Sequence, residues 1–577
     1  MSQTLEEPVP LLLETRRDRT TPENPARPKL RVALVNPPDP AADLDSRVGP
    51  PMGLGYVAAM ARMRGHEADI FDLVAGMGMD TMGLCAAGLL DNYDVYGFGT
   101  YTESFVETMR ILNCIRTVNP GARFVLGGYH ATILWEDVLR DYPEVDVIVL
   151  NEGEYTFADL LDGWYAGRRE AGGPGLAYRD DDGRPVRGEG CAPVIDQDEL
   201  RYPVITPAYQ TAAYLPHVDL RRRQLRTVLN MVSSRGCPKR CTFCAIIVMS
   251  PKWRARTVDS LMREIRCRYA GEPFRHISFQ DANFFVDTRR TLAFSKALHE
   301  FNPDITWSGT ATADHIIRHA AVLREISQLN CAYLEVGIES GNDRSLGRFN
   351  KWTTAEVNSR VLGLLADARL PIGLDFIMFE PDGALEDIAE NFRFVKENEL
   401  SGYWPPSVLF NSLKLYPGTP IRDKYALAHP DVKLPLHTIP LVGFDDSRIA
   451  ALAAALDIYW QEVQGRTNRI AQELYRVTAA ILDLARSAQG APELARSLQQ
   501  GFRWLIRLQH LPYQLFEFVL GHQEILIHGK TGREILECAA VNSHIAAQDG
   551  AQRCLSEILK ELRAAGSKRA TGNARTR

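Results

Sequence analysis

Three cysteines, Cys237, Cys241 and Cys244, fall within eight residues in the run RGCPKRCTFC. Their spacing is C-x3-C-x2-C. Iron–sulfur clusters are held by thiolates, and spacings this short let one loop wrap three corners of a cube. Three protein ligands leave the fourth iron of a 4Fe–4S cluster open. That iron can chelate an amine and a carboxylate together, the pair of groups that S-adenosylmethionine (SAM) offers. A structural zinc site would want a fourth ligand close by, and the next 30 residues supply only Cys267, inside a helical pattern. Cys237, Cys241 and Cys244 are therefore the expected metal ligands.

Such a loop needs a scaffold, and the flanking sequence describes two. From Leu30 short apolar runs alternate with helical patterns: LRVALVNPP, YDVYGFGTYT, ARFVLGGYHAT and VDVIVLNEGEYTF each read as a strand entering a loop. Strand–helix alternation predicts an α/β fold with a doubly wound, Rossmann-like parallel sheet whose ligand site lies at the carboxyl ends of its strands. Thr100, Thr102, Gly127, Gly128, His130 and Glu152 fall on that rim. A second alternating series starts at Thr227, and its six strand-plus-loop units predict a partial (β/α)6 barrel, again with its site at the strand ends. Beyond about residue 445 the spacing is helical throughout. The expected organisation is a flexible leader at 1–28, a ligand-binding domain at 29–171, a linker with a small hairpin at 172–226, the barrel at 227–425, a helical C-terminal domain at 426–564 and a disordered tail at 565–577.

Bulk properties narrow the function classes. A formal charge of −6 over 577 residues argues against a nucleic-acid-coating surface, which shows a basic excess. No run of about 18 apolar residues could span a membrane. The other seven cysteines are isolated, which implies a reducing, cytoplasmic location and no disulfide framework.

The run RGCPKRCTFC, with Phe243 as its aromatic residue, resembles the signature of the radical SAM superfamily. Downstream, ISFQDANFF is similar to the family's second-strand motif, which implies that Asp281 and Asn283 lie near the SAM amino group. LEVGIESGND resembles the strand that contacts the SAM ribose and methionine, which implies cofactor roles for Glu339 and Ser340. LYPGTPI is similar to the segment that closes these barrels. The stretch Phe379 to Gly383 departs from the family's G-L-P-G-E-T pattern, so the substrate side is expected to be specialised. A doubly wound domain ahead of such a barrel resembles the cobalamin-dependent class, the match lying in VNPP, LGGYHAT and NEGEYTF. Paired glycines let the backbone approach a flat macrocycle closely. The loop after the first strand contains no histidine, which implies a cobalt without a protein histidine beneath it, and Arg47 is the loop's polar residue placed to lie there. The expected cobalamin contacts are Arg47, Thr100, Thr102, Gly127, Gly128, His130 and Glu152.

The resemblance implies three cofactors: a 4Fe–4S cluster, SAM and cobalamin. It implies methyl transfer from SAM through methylcobalamin to a carbon, or less readily a phosphorus, of a small natural-product, amino-acid or peptide substrate. The architecture is similar to that of the tryptophan methylases of thiopeptide biosynthesis. Ring contraction or oxidative cyclisation is the alternative within the class, and a cobalamin- or redox-sensing regulator a distant one. An electron donor such as flavodoxin or ferredoxin is the implied partner, with neither nucleic acid nor membrane. The helical domain is expected to cap the barrel, and Trp307, Tyr333, Tyr403 and Trp404 are candidate pocket aromatics, each also a core candidate. The tRNA methylthiotransferases fit poorly: they need three further cluster cysteines, and residues 30–190 carry only Cys85 and Cys114.

Overall fold

The computed structural model describes residues 29–38, 50–73, 93–168, 172–189, 195–205, 218–219, 224–225, 228–250, 252–400, 406–440, 442–471, 473–474, 477, 492–527, 531–539 and 541–573. The first sheet contains β1 (Arg31–Asn36), β2 (Glu67–Asp72), β3 (Val95–Gly99), β4 (Arg123–Gly127) and β5 (Val147–Val149). These five are parallel, in the order β2-β1-β3-β4-β5. Their apolar runs are buried on both faces because helices cover both. Ala58, Phe157 and Leu161, from the helices Met52–Met63 and Glu154–Tyr165, fill one side. Phe105, Leu112 and Ile115, from the helix Phe105–Val118, fill the other. The strand order reverses between β1 and β3, and in doubly wound sheets the ligand crevice opens at that point.

Two more strands join this sheet from the segment expected to be linker. β6 (Leu176–Arg179) pairs antiparallel with β5, and β7 (Pro185–Arg187) with β6. The first domain thus reaches past residue 171. The side chain of Arg179 is what anchors the hairpin: it donates to the carbonyls of Leu139, Tyr142 and Val145 at 2.6–2.9 Å. β8 (Val218–Asp219) and β9 (Gln224–Leu225) form a minimal antiparallel pair ahead of the barrel.

The second sheet is parallel and runs β10 (Val228–Met231), β13 (His276–Phe279), β14 (Thr306–Thr312), β15 (Cys331–Glu339) and β16 (Ile372–Phe376). Between β10 and β13 the chain makes the short antiparallel ribbon of β11 (Ser234–Arg235) and β12 (Arg254–Ala255). Helices between the strands start at side-chain caps: Thr257 accepts from Ser260 N, Asp287 from Arg289 N and Arg290 N, and Thr354 from Val357 N. The sixth expected unit does not form a full strand among the described residues. It makes a 3-10 turn at Pro406–Leu409 and a single parallel bridge, Phe379 to Ser412. Pro406, Pro417 and Pro420 lack the N–H that a ladder needs, which limits pairing there.

The helical C-terminal region packs where that ladder stops. Phe516 lies against Phe379 and Phe392, and Leu452, Leu456 and Tyr459 join the same core as the barrel helices. Its last helix runs from Asn542 to Asn573, into the stretch expected to be a tail. Among the described residues no helix is long and apolar enough to cross a membrane.

Candidate functional site

The cluster loop leaves the carboxyl end of β10. Gly236 has φ +78°, and a Cβ there would sit 2.3 Å from the Lys252 carbonyl, so only glycine lets the loop turn this tightly before Cys237. Cys241 is buried, while Cys237 and Cys244 are partly exposed. Burial pushes the Cys241 thiol up to about 11, and burial raises Cys244 too. Buried thiols of this kind carry charge when a metal replaces the proton, which is the behaviour expected of cluster ligands. Among the described residues no three His, Cys, Asp or Glu side chains converge tightly enough for a single ion.

Asn283 is fully buried beside this loop. Its Nδ2 lies 3.8 Å from Cys237 Sγ, and its Oδ1 has no partner. Asp281, also buried, accepts from Ser233 N at 2.7 Å, Ser233 Oγ at 2.5 Å and Ser234 Oγ at 2.6 Å. These bonds fix the chain between β10 and the cluster loop, and they engage both oxygens of the carboxylate. Ser340 Oγ donates to Asn391 Oδ1 at 2.7 Å, and Glu339, at φ +63°, pairs with Lys351 Nζ at 2.9 Å. Burial alone would lower Lys351, but Glu339, with Cys241 and Asp375 nearby, outweighs it and raises the ammonium above its usual range.

Below this layer the barrel lumen is polar. Glu335 on β15 and Asp375 on β16 reach open space although protein surrounds them, as groups lining an enclosed lumen do. Burial raises both, and their proximity raises Asp375 further, so the pair tends to keep a proton. Deeper still, Tyr333 stacks on His276, whose ring nitrogens meet Thr306 Oγ1 at 2.8 Å and Ser308 Oγ at 3.0 Å. Trp307, by contrast, is fully buried in the hydrophobic core. Tyr403 and Trp404 lie outside the described residues.

The first domain's rim faces the cluster loop. Thr100 is buried, and its hydroxyl donates to Gly127 O at 2.7 Å and accepts from Ala131 N at 3.2 Å. Gly128 has φ +91°, and a Cβ there would lie 2.7 Å from Thr100 O, whereas at Gly127 a Cβ would meet only ordinary contact. His130 is 1% exposed. Its Nδ1 meets Thr102 Oγ1 and its Nε2 meets His437 Nδ1, both at 3.1 Å, with the tilted ring of Phe105 4.2 Å away. Thr100, Thr102 and His130 thus build the rim from inside. Glu152 is paired with Arg254 and lies 3.5 Å from Arg235. Arg47 lies outside the described residues.

What the rim presents to the gap is aromatic. Tyr101 is 54% exposed and yet enclosed by protein, stacked on Tyr129 at 6.0 Å. Tyr129 lies within electrostatic range of Cys244. Exposed tyrosine rings beside a glycine turn are the surface a flat macrocycle would use, the rings for stacking and the turn for close backbone approach. Neither tyrosine stands out in the sequence, although both flank residues that do.

Comparisons with known proteins agree with both halves of this geometry. Residues 46–161 match the B12 binding domain family, and residues 231–395 match the Radical SAM superfamily. The chain is 26% identical over 406 residues to a methyltransferase of Pyrococcus horikoshii described as uncharacterized, covering 69% of this chain and 84% of that one. It is 24% identical over 330 residues to the anaerobic magnesium-protoporphyrin IX monomethyl ester cyclase of Rubrivivax gelatinosus, covering 56% of this chain and 58% of the cyclase. Among solved structures, the cobalamin-dependent S-adenosylmethionine radical enzyme OxsB, with aqua-cobalamin and SAM bound, aligns at a TM-score of 0.65 and 16% identity over 93% of this chain and 81% of its own. The radical SAM methyltransferase TsrM of Kitasatospora setae, with cobalamin and a [4Fe-4S] cluster bound, aligns at 0.53 and 16% identity over 71% and 76%.

Proposed function

We propose that this chain, a cobalamin-dependent radical SAM enzyme, transfers a methyl group from SAM by way of cobalamin to a carbon of a small natural product, amino acid or peptide. The observation that carries the reading is the gap in which the cobalamin-type rim, with Tyr101 and Tyr129, faces the cluster loop at Cys244. Likeness to the Pyrococcus methyltransferase over most of that protein's length supports methylation as the outcome. When bound, the cofactors supply the one-electron cleavage of SAM and the methyl carrier; the chain's residues bind, orient and exclude water.

Cys237, Cys241 and Cys244 ligate the cluster in this reading, and a low-potential donor such as flavodoxin or ferredoxin reduces it. Asn283, whose Nδ2 lies near Cys237 and whose Oδ1 has no partner, is the acceptor this reading gives to the SAM amine. Asp281 holds the loop's entry, and Glu339 and Ser340 stand at the end of β15, where the ribose is expected. Gly127 and Gly128 admit the macrocycle, Thr100, Thr102 and His130 hold that turn, and Arg47 is the remaining rim contact, while Glu152, expected among them, spends its charge on Arg254. The proton shared by Glu335 and Asp375 provides a lumen group that can accept or return a proton at a bound substrate.

The test is anaerobic incubation of the reconstituted protein with SAM, hydroxocobalamin and a low-potential reductant. Methyl transfer predicts S-adenosylhomocysteine release that depends on cobalamin. Release of 5′-deoxyadenosine alone would favour the second reading, a non-methylating cyclisation, which the likeness to the ester cyclase supports. Neither product would leave the sensor reading.

A further inference from the structure

The loop that carries the cluster is tied to the first domain by charge. β11 and β12 pair so that Arg235 stands opposite Arg254, one residue before the Gly236 turn into Cys237. Both guanidinium groups leave the barrel and enter the loop after β5. Arg235 Nη2 lies 2.5 Å from Glu154 Oε1 and its Nη1 lies 3.5 Å from Glu152 Oε2. Arg254 holds both oxygens of Glu152, with Nη1 at 3.1 Å. The four side chains are largely dry, at 15%, 26%, 17% and 4% exposure for Arg235, Arg254, Glu152 and Glu154. The Arg235 guanidinium also sits 5.3 Å over the ring of Tyr56, from the helix Met52–Met63 of the first domain. Glu154 occupies the first turn of the helix Glu154–Tyr165, where a carboxylate is favoured by the helix dipole.

The bidentate pair of Arg254 and Glu152 fixes direction as well as distance, which a single lysine would not, and Arg235 bridges one oxygen of each glutamate. The clamp is not alone: the short helix Tyr129–Ile133 lies against Ile246–Met249 just past Cys244, and Val232 packs on the cluster of Met52 and Tyr56. Further off, Tyr416 OH meets Glu103 at 2.5 Å and His130 meets His437. What the clamp adds is charge with direction, one residue before Gly236, tying the strand that enters Cys237 to the loop after β5.

We propose that Arg235 and Arg254, held by Glu152 and Glu154, are positioning residues that set the separation between the cluster and the cobalamin of the opposite rim. This rests on the two-cofactor reading but makes a separate claim: neither glutamate touches a cofactor, and both act through the arginines.

The decisive measurement is pulsed electron paramagnetic resonance on holoenzyme reduced so that cluster and cobalt are both paramagnetic. The native protein should give one narrow dipolar coupling. Arg254→Met and Glu154→Gln should broaden or shift it, with iron content and cobalamin binding retained. The swap Glu152→Arg with Arg254→Glu should restore it, and release of SAM-derived products, down on the order of 100-fold in Arg254→Met, should recover with it. Native coupling in both single variants would overturn the proposal. Hydrogen exchange on cofactor-free protein keeps the clamp testable by itself: protection at residues 150–155 and 234–238 should fall in Arg254→Met, and unchanged protection would likewise overturn it. A native protein that binds no cobalamin would sink the two-cofactor reading, leaving the exchange result to decide the clamp.

Discussion

The two rims that face each other are built on opposite principles. On the first sheet the loops after β3 and β4 are self-satisfied: Thr100 spends its hydroxyl on two backbone groups, both nitrogens of His130 have partners, and the loop's carboxylate, Glu103, is taken up by Tyr416 and Lys414. On the barrel the same topological position is charged: Glu339 pairs with Lys351, Asp281 is buried under three donors, and Glu335 and Asp375 line the lumen beneath. A neutral, rigid turn suits a large ligand recognised by shape and backbone approach. A charged, low-dielectric lumen suits a small cationic ligand and a reaction that moves electrons and protons. The rims therefore divide the labour of shape and charge.

The sharpest way to break this contrast is at the ligands themselves. Cys241→Ala should abolish the cluster's visible absorption and all SAM cleavage, while Cys267→Ala, an exposed helix position, should leave both intact; a retained spectrum in the first variant would remove Cys241 from the ligand set. Next comes the barrel's buried charge. Lys351→Met strands the Glu339 carboxylate and should cost about 3–5 kcal/mol in urea unfolding. Adding Glu339→Gln should recover most of it, and a double variant no better than the single would mean the pair is not coupled. At the neutral turn the effect should be smaller and steric. Gly128→Ala must hold φ +91° with a Cβ 2.7 Å from Thr100 O, costing about 1–3 kcal/mol. Thermal unfolding checks it, and an unchanged midpoint would mean the turn relaxes.

The sequence discloses the two rims unequally, for physical reasons. Cys237, Cys241 and Cys244 are legible because three ligands of one cluster come from one loop, so the chemistry is written in local spacing. The strand–helix alternation is legible too, since period and turn residues are local properties. Glu335 and Asp375 are not: they meet because β15 and β16 pair with Gly337 opposite Asp375, a register that no single segment encodes. Glu152 reads as a cofactor contact from its loop, and only the partner arginines, about a hundred residues away, show where its charge is engaged. The β6–β7 hairpin reads as linker because its strands are short and its anchor, Arg179, acts through backbone carbonyls. The sixth barrel unit reads as a strand because its apolar content suggests one, while its prolines limit the ladder.

The neutral turn at Gly128 makes a last, quieter prediction at His130. Burial, and then the neighbouring His437, bring its pKa from 6.5 down to about 3. Thr102, Phe105 and His437 surround the ring, and the carboxylate of Asp141 lies 3.6 Å beyond His437 rather than against His130. An imidazolium there would have no anionic partner in contact. The unfolded chain takes up a proton at this residue as pH falls through 6.5, while the folded chain refuses it until near 3. Stability from this group is thus complete above the unfolded value and drains away between the two, by at most about 1.4 kcal/mol per pH unit. His437 is also depressed, by its own burial, and adds a slope of the same sign. His130→Gln can keep the bond to Thr102 and leaves His437 in place, so the difference between native and variant isolates one proton. Urea midpoints followed from pH 7 to pH 5 should therefore fall less steeply in the variant, and parallel curves would mean that His130 is protonated within the fold and that the turn is not neutral.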